Sequence, residues 1–228
     1  GGRIDFEVLK RTQRFWASDN NDALERQTIQ RGMSYFFPPE VMGSHIGASH
    51  CHSTRRRHSI EFRGLTALFG HMGIELDPVK EVQEEKQGFE HYIKLHKMLR
   101  PLLHSGRTWR VPTDDSAHQI HAVVSEDVSE AVVMIAQLAM PTNSLSGHLR
   151  IPGLDPQSLY KVSVIDKPSN YDDIVNYQPP WTESGCELSG AWCAEVGLTM
   201  PILDAETAML IKFEPVSYTH LTLPTNIG

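Results

Sequence analysis

Apolar positions recur at two different spacings along the chain and divide it into two parts. Up to residue 105, short apolar runs alternate with helical patterns, as is typical of βα units. This pattern predicts helices over 6–14, 22–31 and 65–69 and short strands over 15–18 and 71–76. The longest helix is predicted over 79–105, where apolar residues recur at helical spacing between Pro78 and Gly106.

The pattern changes after Gly106. Runs over 108–112, 118–125, 130–139, 160–165 and 207–213 are typical of short strands, with turn clusters such as Pro-Gly-Leu-Asp-Pro at 152–156 between them. Short strands with such turns favour a small antiparallel, sandwich-like β domain. We therefore expect an α/β part over 1–105 and an antiparallel β part over 106–215.

The last residues differ in kind from the rest. The string VSYTHLTLPTN at 216–226 resembles translated sequencing-adapter read-through, and it follows a natural last strand that ends before Pro215. We expect 216–228 to be a non-native tail and exclude it from the fold. The alternative is a genuine strand over 218–223, which has tolerable β propensity.

Composition narrows the class of protein. With 228 residues, 40% hydrophobic and 21% charged, the chain suits a globular protein of one or two domains. Its net charge of −7 disfavours nucleic acid or an anionic membrane as principal partner. No apolar run approaches the roughly 20 residues that span a bilayer. Three scattered cysteines are too few for a disulfide framework, so we expect free thiols and a cytoplasmic location.

The segment FWASDNNDALE at 15–25 holds two aspartates three positions apart, where a predicted strand passes into a helix. Asp22 precedes a helical pattern and has Glu25 three residues later, which is the spacing of a capping box. We therefore interpret Asp22 as the N-cap of that helix.

Asp19 has no such partner and follows the predicted strand that carries Phe15 and Trp16. In a βα barrel, active sites are built at the carboxyl ends of the strands. An aromatic neighbour would offer an apolar platform for a sugar. Asp19 is therefore a candidate for chemistry, and the alternative is an Asx turn, a common role for aspartate before asparagine.

The cluster of His45, His50, Cys51 and His52, with His58 as a further ligand, is a candidate metal site. Zinc accepts both residue types, but closed sites normally show paired ligands at helical or knuckle spacing. We therefore expect no metal. The run of three arginines at 55–57 is interpreted as a solvated loop face.

A set of motifs runs through the first part of the chain. It comprises Gly1-Gly2-Arg3 with Asp5; Gln13, Trp16, Ser18-Asp19-Asn20, Asp22-Ala23 and Glu25-Arg26; Met42-Gly43-Ser44-His45; Glu61-x-Arg63-Gly64; and the run from Phe69 to Asp77. Together these motifs resemble glycoside hydrolase family 36, the α-galactosidases or melibiases of bacteria and fungi. The resemblance covers about 1–213 and is strongest up to Asp77, although Asn21 stands where many members have threonine.

The resemblance implies the C-terminal half of a (β/α)8 barrel followed by an antiparallel β domain. It implies a retaining hydrolase that removes terminal α-D-galactosyl residues from oligosaccharides such as melibiose and raffinose. Asp19 would be the general acid/base, Gly1, Gly2 and Trp16 would bind substrate, and Arg3 would position it. No cofactor is implied; the partners would be a galactoside and, for the full-length enzyme, further copies of itself in a homo-oligomer.

The second carboxylate of this chemistry is missing from the sequence. The family's nucleophile lies in a Lys-Trp-Asp segment, and no such segment occurs in the 228 residues. Because double displacement needs both carboxyl groups, we expect an upstream portion to supply the nucleophile and the chain alone to be inactive. Open sheet edges and an uncovered apolar face should also make it poorly soluble.

Two other functions remain open at this point. The β part could be a non-catalytic carbohydrate-binding module if Trp109, Trp181 and Trp192 form an exposed plane, although buried tryptophan is more usual in a β core. The same fold could also act on α-N-acetylgalactosaminides or transfer galactose rather than hydrolyse. The sequence does not decide the sugar.

Overall fold

The computed structural model describes residues 4–174 and 177–216. Gly1, Gly2, Arg3 and nearly all of the expected tail lie outside the described residues. The first part follows the order α1 Phe6–Leu9, β1 Phe15–Trp16, α2 Ala23–Met33, a 3-10 turn at Pro39–Val41, β2 Met42–Gly47, α3 Ile60–Leu68, β3 His71–Glu75 and α4 Gln83–Ser105. The second part contains β4 Arg107–Val111, β5 His118–Val124, β6 Ala131–Gln137, β7 His148–Leu149, β8 Leu159–Asp166, a 3-10 turn at Tyr171–Asp173, α5 Trp181–Ser184, β9 Cys186–Ser189, α6 Gly190–Glu195, β10 Leu198–Thr199 and β11 Thr207–Pro215.

Strands β1, β2 and β3 form a parallel sheet in that order, with helices α2 and α3 as the crossovers. This is the βα arrangement that the sequence predicts, and it is part of the barrel architecture. Strand β2 was not predicted. Its sequence, Met-Gly-Ser-His-Ile-Gly, holds two glycines, which strands normally disfavour, and only the surrounding fold explains them.

Helix α3 contacts strands of both parts of the chain. Seven of its nine residues are buried, which is the pattern of a helix covered on all sides. It contacts β2 of the parallel sheet and β11 of the second sheet. The apolar surface of α3 therefore joins the two parts of the chain.

The second part is built on a six-stranded antiparallel sheet in the order β4-β5-β6-β11-β8-β9. A two-stranded antiparallel ladder of β7 and β10 accompanies it. The five strands predicted in this part are all present, with ends shifted by at most two residues. The short strands β7, β9 and β10 were missed because their two to four residues carry too little pattern.

Strands β5 and β6 are buried along their whole length because both faces of the sheet are covered. Along β6, Ala131, Val133 and Ile135 face the core of the β part, whereas Val132 and Met134 face α3 and α4. Alternate residues of a strand point to opposite faces, so a sheet covered on both faces reads as a continuous apolar run.

Two predicted helices are shorter than expected. Helix α1 ends at Leu9 rather than residue 14, and α4 begins at Gln83 rather than residue 79. The change from parallel to antiparallel structure falls between Ser105 and Arg107. The division into separate domains stays a prediction, because one apolar core includes residues from both parts. Of the helices in 4–174 and 177–216, none combines the length and apolar character that crossing a membrane requires.

Candidate active site

Two glycines on one face of the parallel sheet make room for two rings. Trp16 pairs in register with Gly43, where an added Cβ would lie 3.0 Å from the Trp16 ring. His45 pairs with Gly73, where a Cβ would lie 2.9 Å from the imidazole. The Trp16 and His45 rings stack with centroids 4.3 Å apart and planes 29° apart. Because glycine has no side chain, the Trp16 and His45 rings can lie over Gly43 and Gly73 and form one aromatic face.

Polar groups meet this aromatic face where the strands end. Glu75, at the end of β3, lies 3.2 Å from His45 through Oε2 and Nδ1. The same carboxylate oxygen accepts a hydrogen bond of 3.5 Å from the side-chain amide of Asn21. Because the carboxyl ends of parallel strands meet at one edge, groups distant in sequence come together here.

Asp22 is the N-cap of α2, as predicted. Its buried carboxylate accepts from the amides of Leu24 at 3.0 Å and Glu25 at 3.1 Å. It also accepts from the Thr54 hydroxyl and, at 3.4 Å, from Arg56. Burial alone would raise the pKa of Asp22, but the hydrogen bonds from Thr54 and Glu25 and the charges of His58 and Arg56 outweigh it and hold the pKa below its ordinary value. Asp22 therefore has a sufficient structural role.

The predicted capping box is only half formed, because the return hydrogen bond from the Asp22 amide to the Glu25 side chain is absent. The Glu25 carboxylate does not return to the Asp22 amide but binds Arg56 at 2.8 Å. The Asp22 amide donates instead to the Asn20 side chain at 3.1 Å. Arg55 and Arg57 are exposed, as expected of a solvated loop face. That interpretation is wrong for Arg56, which is half-buried and pairs with Asp22 and Glu25 at the start of α2.

The loop around Asp19 is shaped by its neighbours. The backbone amide of Asn20 donates to the Ser18 hydroxyl at 3.2 Å. The side-chain oxygen of Asn20 also accepts from the Ser53 hydroxyl at 3.1 Å. Within the described residues, the Asp19 carboxylate makes no hydrogen bond or ion pair with another side chain or amide. The Asx turn considered for Asp19 is thus formed by Asn20.

Asp19 lines an open depression over the aromatic face. Trp16, His45 and Glu75 line the same depression, together with Arg14, Phe15, Gly43 and Ile74. The Asp19 side chain is exposed and Trp16 is half-buried. The arrangement places an accessible carboxylate beside two stacked rings, which suits proton transfer to a ligand resting on them.

Arg26 belongs to one of the sequence motifs, but the sequence did not predict a role for it in the site. Its side chain is 2% exposed, and its guanidinium carbon lies 4.0 Å from the centre of the Trp16 ring. Burial lowers the pKa of Arg26 to about 10, while the carboxylates of Glu75 and Asp19 act in the opposite direction. The signal available in the sequence was its position one turn after Asp22, but burial cannot be read from that spacing.

The structure does not bring together the other groups of residues considered as sites in the sequence analysis. Within the described part of the chain, no three His, Cys, Asp or Glu side chains are placed to hold a metal ion. Of the three tryptophans considered for sugar binding in the β part, Trp181 is buried and donates to the Thr199 carbonyl at 2.9 Å. Trp109 is half-buried and Trp192 is exposed, so the three do not form one exposed plane. Gly1 and Gly2 lie outside the described residues, and their predicted role stays a prediction.

Sequence comparison matches residues 1–106 to the Melibiase family and residues 118–213 to the glycosyl hydrolase family 36 C-terminal domain. The α-galactosidase of Escherichia coli is 57% identical over 219 residues, which are 94% of this chain and 31% of that protein.

Solved structures agree with these matches. The galactosidase domain of the α-galactosidase–sucrose kinase AgaSK superposes with a TM-score of 0.76 at 30% identity, covering 92% of this chain and 27% of that one. A variant of the family 36 α-galactosidase AgaA of Geobacillus stearothermophilus, solved with raffinose, gives a TM-score of 0.76 at 28% identity over the same shares. The chain spans less than a third of the length of each of these relatives.

Proposed function

Because this chain belongs to glycoside hydrolase family 36, we propose that it supplies the general acid/base of a retaining α-galactosidase site, with Asp19 in that role. The observation that carries the proposal is the contrast within one loop. Asp22 and Asn20 are committed to local hydrogen bonds, whereas the Asp19 carboxylate is accessible and lines the depression beside Trp16.

Asp19 acts twice in this reaction. In the first step its carboxyl proton moves to the glycosidic oxygen while the bond from that oxygen to the anomeric carbon breaks and the nucleophile bonds to the anomeric carbon. In the second step the Asp19 carboxylate takes a proton from water, the water oxygen bonds to the anomeric carbon, and the bond to the nucleophile breaks. Asp19 ends in its starting form.

In this proposal the sugar binds on the aromatic face. A pyranose has an apolar side formed by its C–H groups, and the Trp16 ring offers a surface of matching character beside Asp19. The predicted approach of the Gly1 and Gly2 backbone belongs to the same proposal, since glycine allows the closest contact between backbone and ligand. Trp16 is therefore a substrate-binding residue in this account.

The nucleophile is assigned to a segment other than these 228 residues. A retaining site needs its two carboxyl groups about 5–5.5 Å apart. Among the described residues, Glu75 is the other carboxylate that lines the depression, and it accepts from His45 and Asn21. The chain alone is therefore expected to lack hydrolytic activity.

The substrates we propose are raffinose-type α-galactosides. This follows from the relatives, one of which was solved with raffinose bound. Hydrolysis in water, without a cofactor, completes the proposed activity.

The experiment uses a fusion in which residues 1–216 of this chain replace the segment they match in the E. coli α-galactosidase. Values of kcat/KM are measured on raffinose and on a nitrophenyl α-galactoside, whose leaving group needs little protonation. Asp19→Asn should lose about 10²- to 10⁴-fold on raffinose and much less on the aryl substrate. Asp114→Asn, at an exposed aspartate outside the depression, serves as the matched control and should change neither value.

Two results would overturn the proposal. One is a folded fusion that hydrolyses neither substrate. The other is an Asp19→Asn fusion that retains raffinose hydrolysis or loses both activities equally, because an acid catalyst matters most for the poorer leaving group.

A further inference from the structure

Arg26 places a buried positive charge directly beneath the loop that carries Asp19. Helical side chains lean toward the N-terminus of their helix, so Arg26 in α2 reaches back to the residues before Asp22. One Nη atom donates to the Ser18 carbonyl, next to Asp19 in sequence. The guanidinium also lies over the Trp16 ring, 4.0 Å from its centre. Arg26 thus contacts Ser18, which precedes Asp19 in the chain, and Trp16, which lines the same depression as Asp19.

Packing alone does not account for a charge in this position. The side chain is 2% exposed, and its Nε and the other Nη have no hydrogen-bond partner within the described residues. Burying an incompletely paired cation costs free energy, and an apolar side chain of similar volume would fill the space without that cost. The carboxylates of Asp19 and Glu75 act on this cation through their charge, and both line the depression.

We infer that Arg26 is a positioning residue for Asp19. Its hydrogen bond fixes the Ser18 carbonyl and therefore the loop that aims Asp19, and its charge stabilises the carboxylate that Asp19 becomes after giving its proton away. This inference rests on the proposed acid/base role of Asp19. Arg26 itself does not touch the reacting atoms.

Lysine is not an equivalent of arginine here. A guanidinium is planar, so it can stack on Trp16 and donate sideways to Ser18 at the same time. An ammonium keeps the charge but loses the stacked plane. Arg26→Lys should therefore fall between the wild-type chain and Arg26→Met.

The test uses the fusion described above and the same two substrates. Arg26→Met should lower kcat/KM by about 10- to 100-fold on raffinose but by less than about threefold on the nitrophenyl galactoside, as expected when proton transfer is impaired. Arg26→Lys should recover part of the raffinose activity. Arg31→Met is the matched control: Arg31 lies on the same helix and donates to the Ile120 and Val111 carbonyls, away from the depression.

The outcomes separate this inference from the proposed function. An equal loss on both substrates in Arg26→Met, or no loss at all, would overturn the positioning role while Asp19→Asn still shows its leaving-group dependence. An Asp19→Asn fusion without that dependence would overturn the acid/base role itself.

A second measurement does not depend on activity. Hydrogen–deuterium exchange of the fusion should show faster exchange in peptides covering 17–21 for Arg26→Met, by about tenfold or more if the Ser18 anchor is lost. Arg31→Met should leave these peptides unchanged. Equal exchange in the two variants would contradict a loop held by Arg26.

Discussion

Asp19 and Asp22 lie three residues apart in one loop, yet their carboxylates have opposite surroundings. Asp22 is fully buried and accepts hydrogen bonds from Leu24, Glu25 and Thr54. Asp19 is exposed at the open depression and accepts none within the described residues. One loop therefore separates a carboxylate that builds the helix from one that is free for chemistry.

Replacing Asp22 by alanine should destabilise the protein by about 2 kcal/mol, near the upper range for an N-cap, because Thr54 and Arg56 also lose their acceptor. The urea midpoint of the fusion measures this change. Asp5→Ala is the control: Asp5 also caps a helix, but the helix has four exposed or half-exposed residues, so a loss of at most about 0.5 kcal/mol is expected. Equal losses in the two variants would contradict the special burial of Asp22.

Alanine at Gly73 should disturb substrate binding more than stability. The added Cβ would lie 2.9 Å from the His45 ring, so the ring must shift, and its contacts with Trp16 and Glu75 change. We expect a KM for raffinose several-fold higher, with kcat changed less. Gly32→Ala is the control, since a Cβ there meets nothing within 4 Å and should stabilise helix α2 by up to about 1 kcal/mol. An unchanged KM in Gly73→Ala would remove His45 from the binding surface.

Buried histidines should make the fold sensitive to mild acid. Burial and the nearby charges of Arg31 and Arg110 lower the pKa of His121 to about 3, and burial also lowers the pKa of His96 and His118. The folded state keeps these rings neutral, whereas the unfolded chain binds protons below about pH 6.5. The contribution of these histidines to the free energy of unfolding is therefore fully present above about pH 6.5 and is lost as the pH drops toward 3.

The urea midpoint of the fusion between pH 7 and pH 4.5 measures this effect. His121→Phe keeps an aromatic ring beside Phe69 and should flatten the pH dependence, whereas His148→Phe at an exposed position should not. A pH dependence that is the same in His121→Phe and in the wild-type chain would contradict the role of His121.

The isolated chain should self-associate. Each outer strand of the sheet β1-β2-β3 has one edge unpaired within the described residues, and the large apolar side chains of Phe6, Tyr35 and Phe36 are exposed. Exposed edges and apolar surface favour association. Light scattering should detect species larger than 25.7 kDa, and Phe36→Ser should raise the fraction of monomer. A monodisperse wild-type monomer with a cooperative melt would contradict this expectation.

Much of the fold could be predicted because it follows from local rules. The cap at Asp22, the long helix that ends at Ser105 and the strands around Val123 and Val133 all show in residue spacing or in continuous apolar runs. Strand β2 could not be predicted, because Gly43 is explained only by the Trp16 ring that lies across it.

Only part of the candidate site could be predicted from the sequence. Asp19 and Trp16 stand out through their position after a strand, and the family motifs single out the same residues. The burial of Arg26 and the contact between His45 and Glu75, 30 residues apart, depend on the packing of a helix and two strands. Spacing along the chain carries no information about such contacts.

The most direct test of the central claim replaces Asp19 by alanine in the fusion and adds azide to the reaction with a nitrophenyl α-galactoside. Removing the acid/base leaves the glycosyl-enzyme without a base to activate water, whereas azide is already an anion and needs none. Azide should restore turnover and give α-galactosyl azide, with the configuration of the substrate retained. β-Galactosyl azide would identify Asp19 as the nucleophile instead, and no rescue together with unimpaired raffinose hydrolysis would show that Asp19 has neither role.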